Sequence, residues 1–178
     1  MFVNPTQPSA PFNAKFFPQQ VLLLSVGENL MPMGYWTAIS KEPFRFLICM
    51  QLGNYSLELL REYREAALHF MPWSERERVA KAGHISGRDG PKAPRLGFNL
   101  VPAQKLEHTK LVEGADLVYE SLVLQELEGL SHEFALFVLD VVATSGRISP
   151  LHRDPILYLS QKDFARMGEK YKYRPRAW

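Results

Sequence analysis

A chain of 178 residues with 46% apolar and 22% charged side chains can bury one core of ordinary size, which excludes a disordered or fibrous polymer. A formal net charge of +2 is too small for a surface given over to nucleic acid, and the single cysteine, Cys49, excludes an intrachain disulfide and fits a reducing compartment. Thirteen prolines and eleven glycines exceed what a helical bundle tolerates and favour strands joined by turns.

Residues 1–18 carry Pro5, Pro8, Pro11 and Pro18 among Asn, Gln and Ser, which predicts an extended arm. Met1–Pro8 has no charged segment followed by an apolar run, and the apolar stretch Val21–Val26 is too short to cross a bilayer. The expectation is a cytoplasmic chain outside the membrane. Val21–Val26, ending at Gly27, reads as a buried strand. Gly34–Ile39 and Phe44–Met50 read as two more, the latter fenced from helix by Pro43. The period then changes. Ser56 is placed to cap a helix running through Leu57, Leu60 and Tyr63, followed by a strand at Ala66–Phe70. Ser74-Glu-Arg-Glu77 has the spacing of a capping box and predicts an exposed helix ending near Gly83. Gly87, Gly90, Pro91 and Pro94 predict loop from His84 to Pro94.

Leu117–Leu124 and Phe134–Val142, separated by a polar turn at Glu128–His132, predict a hairpin. Ile156–Leu159 reads as a last short strand, with Ser160 capping a helical turn through Phe164. The fold expected is mainly β: an antiparallel split barrel of Greek-key type with a few short helices, occupying residues 19–160. Residues 161–178 form a tail whose basic and aromatic residues suit solvent or a clasp on a second subunit. No Gly-x-Gly-x-x-Gly, P-loop or Gly-x-Ser-x-Gly pattern occurs, and the five histidines lack metal-ligand spacing.

Five segments in order carry a resemblance. They are Val21–Val26 with Asn29 and Trp36-Thr-Ala-Ile-Ser40 before Glu42-Pro43; Phe44–Met50 running into Gly53-Asn-Tyr-Ser56; His69-Phe-Met-Pro72; Ser86-Gly-Arg-Asp-Gly-Pro-Lys92; and Gly129-Leu-Ser-His132 before Phe134–Val142. The chain resembles the flavin reductase-like, FMN-binding split-barrel family. The resemblance implies FMN at a homodimer interface, reduced by NADH or NADPH, with some relatives passing electrons to another protein instead.

The residues support that expectation physically. The helix entry at Gly53, Asn54, Tyr55, Ser56 and Leu57 offers backbone N–H groups and a positive dipole end to a phosphate, and Arg88 or Lys92 could complete its neutralisation. Trp36, Thr37, Ala38 and Ile39 could present backbone polar groups to the pyrimidine edge of the flavin ring, the small Ala38 permitting close approach. His132 is the candidate catalytic residue, with Ser131 standing where the family commonly has Asp. Cys49, inside an apolar strand, reads as a small buried hydrophobe rather than a redox thiol. Two further readings are an electron-transfer flavoprotein of flavoredoxin type and a non-flavin barrel that binds another small molecule.

Overall fold

The computed structural model describes residues 18–146, 154–159 and 163–168. Its main element is a seven-stranded antiparallel sheet built from β2 (Leu22–Val26), β3 (Asn29–Met33), β4 (Trp36–Lys41), β5 (Phe44–Gln51), β6 (Glu65–Phe70), β9 (Leu117–Leu127) and β10 (Phe134–Gly146). The order across the sheet is β3-β2-β6-β9-β10-β5-β4. The two outermost strands, β3 and β4, are consecutive in the chain and joined only by Gly34 and Tyr35. Two residues reach only about 7 Å, so the sheet must curl until its edges meet at that corner. The edges do not pair, and the result is a split barrel.

The interior of the curl is apolar. Leu22, Leu24 and Val26 of β2, Phe46, Ile48 and Met50 of β5, Ala66, Leu68 and Phe70 of β6, and Phe137 and Leu139 of β10 point into one core. Helix α1 (Tyr55–Tyr63) adds Leu57, Leu59 and Leu60 to it. Strands β2 and β6 are buried on both faces. Outside β2 lie α2 (Arg76–Ala82), α3 (Lys92–Leu96) and the segment around Ile156, which give a second core around Leu23, Leu30, Val79, Leu96, Phe98 and Ile156. A three-stranded sheet of β1 (Gln19–Gln20), β11 (Leu157–Tyr158) and β12 (Phe164–Ala165) flanks this layer. A two-stranded ribbon, β7 (Leu100–Pro102) and β8 (Lys110–Val112), completes the molecule. Among the described residues no helix is long and apolar enough to cross a membrane.

The expected strands Val21–Val26, Phe44–Met50 and Ala66–Phe70 and the 117–142 hairpin are present, with ends moved by a few residues. Several elements differ. β3 is a strand despite Pro32, because on an edge proline's missing N–H costs no ladder bond. The cap of α1 is Asn54, in extended conformation, whose Oδ1 accepts the Ser56 N–H at 3.0 Å, so Ser56 is already inside the helix. Ser74 does not cap α2. It sits in a 3-10 turn, Trp73–Glu75, and the helix follows without a side-chain cap. The expected loop from His84 to Pro94 holds a 3-10 turn at Gly87–Asp89 and the start of α3, where Pro94 falls in the first turn and removes no helical bond. Phe164–Ala165 is strand β12 rather than a helical turn, and Ser160 lies outside the described residues.

The outward face of β6 is polar yet covered. Its Glu65 carboxylate accepts backbone N–H groups from Glu107, His108 and Thr109 at 3.0, 2.6 and 2.6 Å. Glu120, on the adjacent strand β9, accepts from Gln104 and Lys105. His69 accepts the Val112 N–H at Nε2 (2.9 Å), which leaves Nδ1–H to donate to Leu23 O at 3.0 Å. These three side chains satisfy the backbone of the 104–112 segment that would otherwise be orphaned over the sheet.

Complete burial pushes the His69 pKa down to about 4, so the imidazole is neutral in the folded protein. An unfolded histidine titrates near 6.5, so between those values the unfolded chain binds more protons. Stability is therefore full above about pH 6.5 and falls as pH drops toward 4, by up to about 3 kcal/mol. Urea titrations at pH 7, 5.5 and 4.5 measure the slope. His69→Gln should be less stable at pH 7 and show a shallower slope in that window, and a slope equal to the wild type's would assign it to other groups.

Candidate functional site

A groove of about 860 Å³ opens where the barrel splits. One wall is the β3–β4 corner, with Met31, Met33, Gly34 and Tyr35. The floor is Cys49 and Gln51 at the end of β5, and the far wall is the segment from Ala82 to Arg88. Tyr158 and Phe164 stand at one end as an edge-to-face pair with centroids 5.9 Å apart. Tyr35 and Phe134 form another such pair at 5.4 Å. The groove thus has an apolar, aromatic part and a polar end where Asn29, Asn54, Ser86, Gly87, Arg88 and Lys92 converge. No Asp or Glu lines it among the described residues, so its charged groups are cationic.

The polar end rests on one close packing. Asn29, at the start of β3, donates its Nδ2–H to the buried Ser56 hydroxyl at 2.6 Å. Gly87 presses against that contact: a Cβ there would run into the Asn29 carboxamide and lie 2.8 Å from Tyr55 Cδ1. Ser86 prepares the approach, its hydroxyl accepting the Arg88 N–H at 3.1 Å. Strand β3, helix α1 and the 86–92 segment thereby meet at a single point. The Asn29 Oδ1 is buried there without a partner among the described residues.

The two loop cations are held differently. Arg88 is exposed, pairs with Glu58, reaches Gly53 O at 3.4 Å and lies 5.2 Å over the Tyr55 ring. Such an exposed pair is worth less than about 1 kcal/mol, so the guanidinium is free to exchange partners. Lys92 is buried, and its Nζ donates to Leu30 O at 2.8 Å and Ala82 O at 2.9 Å. Burial, helped by the nearby Arg95 charge, pulls its pKa below the ordinary lysine value. An ammonium held only by carbonyls carries uncompensated positive charge, and an anion at the groove's end would supply the missing partner.

Of the residues singled out in the sequence, Gly53, Asn54, Tyr55, Arg88 and Lys92 line the groove. Ser56 and Leu57 are buried behind it, Ser56 holding Asn29 and Leu57 in the barrel core. Trp36 turns inward, edge-to-face with Phe46 and Phe70, and its Nε1–H donates to Gln20 O at 2.8 Å. Thr37, Ala38 and Ile39 are exposed on the edge strand and do not line the groove. His132 is exposed on the β9–β10 turn. There the Ser131 hydroxyl accepts the N–H groups of Glu133 and Phe134 at 3.1 Å, and the Leu52 N–H donates to Glu133 O at 2.9 Å, tying the turn to the groove's rim. Cys49 is half-buried, and burial raises its thiol pKa, which keeps it protonated.

Sequence reasoning missed Met31, Met33, Ser86, Phe134, Tyr158 and Phe164 as lining residues. The Asn29–Gly87 contact was hidden by 57 intervening positions, and only the glycine beside a capping serine hinted that backbone comes close there. Gly87→Ala should cost about 1–3 kcal/mol by overpacking, read as a lower urea midpoint, with the Asn29 contact displaced. A midpoint equal to the wild type's would show that the contact is not tight.

The fold recurs among solved structures. An FMN-binding protein from Thermus thermophilus with bound 1-cyclohex-2-enone matches at TM-score 0.84 and 21% identity, over 98% of this chain and all of that one. A flavoredoxin from Methanosarcina acetivorans matches at 0.81 and 18%, over 92% and 94% of the two chains. An NADH:FAD oxidoreductase from Streptomyces globisporus matches at 0.78 and 18%, over 95% and 98%. No curated protein matches the chain significantly. The model of the flavin reductase like domain matches residues 14–167, and the chain belongs to that family.

Proposed function

We propose that this protein binds FMN in the split-barrel groove and reduces it with NADH or NADPH. The observation that carries the reading is the groove itself: a cation-bearing polar end with no carboxylate among its described lining residues, joined to an apolar aromatic slot, in a chain of the flavin reductase-like family. A phosphate fits the polar end, where Lys92 has no anionic partner among the described residues and Arg88 is paired with the exposed Glu58 carboxylate. The ring slot is formed by Met31–Tyr35 and Cys49, with Trp36, Thr37, Ala38 and Ile39 behind and beside it rather than within it. When bound, the flavin supplies the hydride-accepting ring. The chain's part is to orient the two flat partners, exclude water through Tyr35, Phe134, Tyr158 and Phe164, and hold the phosphate. His132, on the rim turn, is the proposed proton donor or nicotinamide contact.

The second part of the proposal is a homodimer. The outward side of the sheet carries Leu47, Leu136 and Val138, half-buried, and Leu122 and Leu124, 42% and 50% exposed. Cys49 continues that face from Leu47, so the groove opens beside it. An apolar sheet face of this kind is what a homodimer interface covers. Leu122→Lys with Leu124→Lys should convert a dimer to monomers in sedimentation velocity, and a monomeric wild type would remove the dimer from the reading.

A flavoredoxin-type carrier without nicotinamide activity is the second reading, supported by the likeness to a flavoredoxin. Visible spectra of the protein with FMN, followed by stopped-flow mixing with each nicotinamide, separate the two. Bleaching of the flavin band is expected, and none with either donor leaves only the carrier. Replacing Asn54 and Ser56 together with Ala should weaken FMN binding about tenfold or more, and unchanged affinity would put the phosphate elsewhere.

A further inference from the structure

Arg88 joins two walls of the groove's polar end. Its backbone belongs to the far wall and is fixed there, because Gly87 packs on Asn29 and the Ser86 hydroxyl accepts the Arg88 N–H. Its side chain crosses to the helix entry. There the guanidinium reaches Gly53 O at 3.4 Å, lies 5.2 Å over the Tyr55 ring and pairs with the Glu58 carboxylate. Gly53 and Tyr55 line the groove, whereas Glu58, further along α1, does not. The carboxylate therefore holds the guanidinium from outside the space that a ligand fills. Both side chains are open to water, 46% exposed for Arg88 and 57% for Glu58. Arg61, three residues on from Glu58 in α1, is engaged by Glu126 at 2.6 and 3.1 Å, so it does not compete for Glu58. Among the described residues Glu58 is the one carboxylate paired with Arg88.

We propose that Glu58 is a positioning residue, the resting partner of an exchangeable Arg88, and that it sets how tightly and how long a phosphorylated ligand is held. The proposal rests on the flavin reading, which puts the FMN phosphate at this end of the groove. With the groove empty, the guanidinium rests on Glu58. When a phosphate enters, the guanidinium turns inward and donates to two of its oxygens, and when the phosphate leaves, Glu58 takes the guanidinium back. An exposed arginine–carboxylate pair shifts an equilibrium by at most about fivefold. A phosphate monoester carries a charge of about −2 and matches the guanidinium fork, so it wins the exchange. Only an exposed side chain has to turn on a fixed backbone, which is fast beside ligand binding. The competing pair must still be broken, so its strength is subtracted from the affinity for phosphate. Riboflavin, which lacks the phosphate, leaves the pair intact.

The experiment titrates FMN and riboflavin into the full chain as wild type, Glu58→Gln, Arg88→Gln and the double variant. Affinity is read from flavin fluorescence and release from stopped-flow dilution. Glu58→Gln should bind FMN about two- to fivefold more tightly and release it more slowly, with riboflavin unchanged. Arg88→Gln should weaken FMN about tenfold and leave riboflavin unchanged. In the Arg88→Gln background, Glu58→Gln should have no further effect on FMN. The same gain in both backgrounds would reduce Glu58 to a charge that repels phosphate and overturn the exchange. Weaker or unchanged FMN binding by Glu58→Gln would overturn it too, as would an Arg88→Gln variant that binds FMN like the wild type. If neither flavin binds, the flavin reading has failed separately, and inorganic phosphate becomes the probe. Its shift of the Arg88 Nε–H signal, assigned with Arg88→Gln, then upholds the exchange if it needs less phosphate in Glu58→Gln and removes it if it does not.

Discussion

Three parts of the chain meet where Gly87 lies against Asn29, and the polar end of the groove depends on that meeting. Asn29 begins an edge strand, Ser56 sits in the first turn of the helix that enters the barrel, and Gly87 lies in a single 3-10 turn. Any side chain at Gly87 would part them. The contact fixes the distance between the helix entry and the turn, and so sets the width of the polar end. It also makes one wall of the groove. A split barrel alone would leave a cleft between two unpaired edges, and the packing of a glycine on an asparagine gives that cleft a closed polar end.

Electrostatics then divides the site. Near Lys92 the protein places carbonyl oxygens instead of carboxylates, which orients the ammonium without neutralising it. Buried carboxylates are kept elsewhere, under the 104–112 segment, where each is satisfied by backbone donors. An anion entering the groove meets cations without strong competing partners, and meets no carboxylate among the described lining residues.

Much of this was legible in the sequence, for identifiable reasons. The strands β2, β5, β9 and β10 announced themselves because apolar and β-branched runs recur at strand length. The helix entry and the loop cations Arg88 and Lys92 were legible as the polar end, since capping residues, glycines and cations cluster there. The edge strand β3 was not, because its proline argues against a strand everywhere except on an edge, and edges are set by tertiary order. Trp36–Ile39 were expected at the ring, but alternation along β4 sends Trp36 into the core and the register places Met31–Tyr35 at the opening instead. The contributions of Phe134, Tyr158 and Phe164 come from elements far apart in the chain, and no local pattern marks such convergence.

The polar row on β6 has a consequence for how the sheet is threaded. Side chains alternate across a strand, so sliding β6 by one position would drive a carboxylate and an imidazole into the hydrocarbon interior and turn Leu68 and Phe70 out under a segment needing acceptors. Such a misthreaded chain would lose its bonds to Glu107–Thr109 and Val112 at the same stroke. Glu65 and His69 thus act as pegs that fit the ladder in one alignment only, so that the middle of the barrel can be assembled correctly before either of its free edges has found its place.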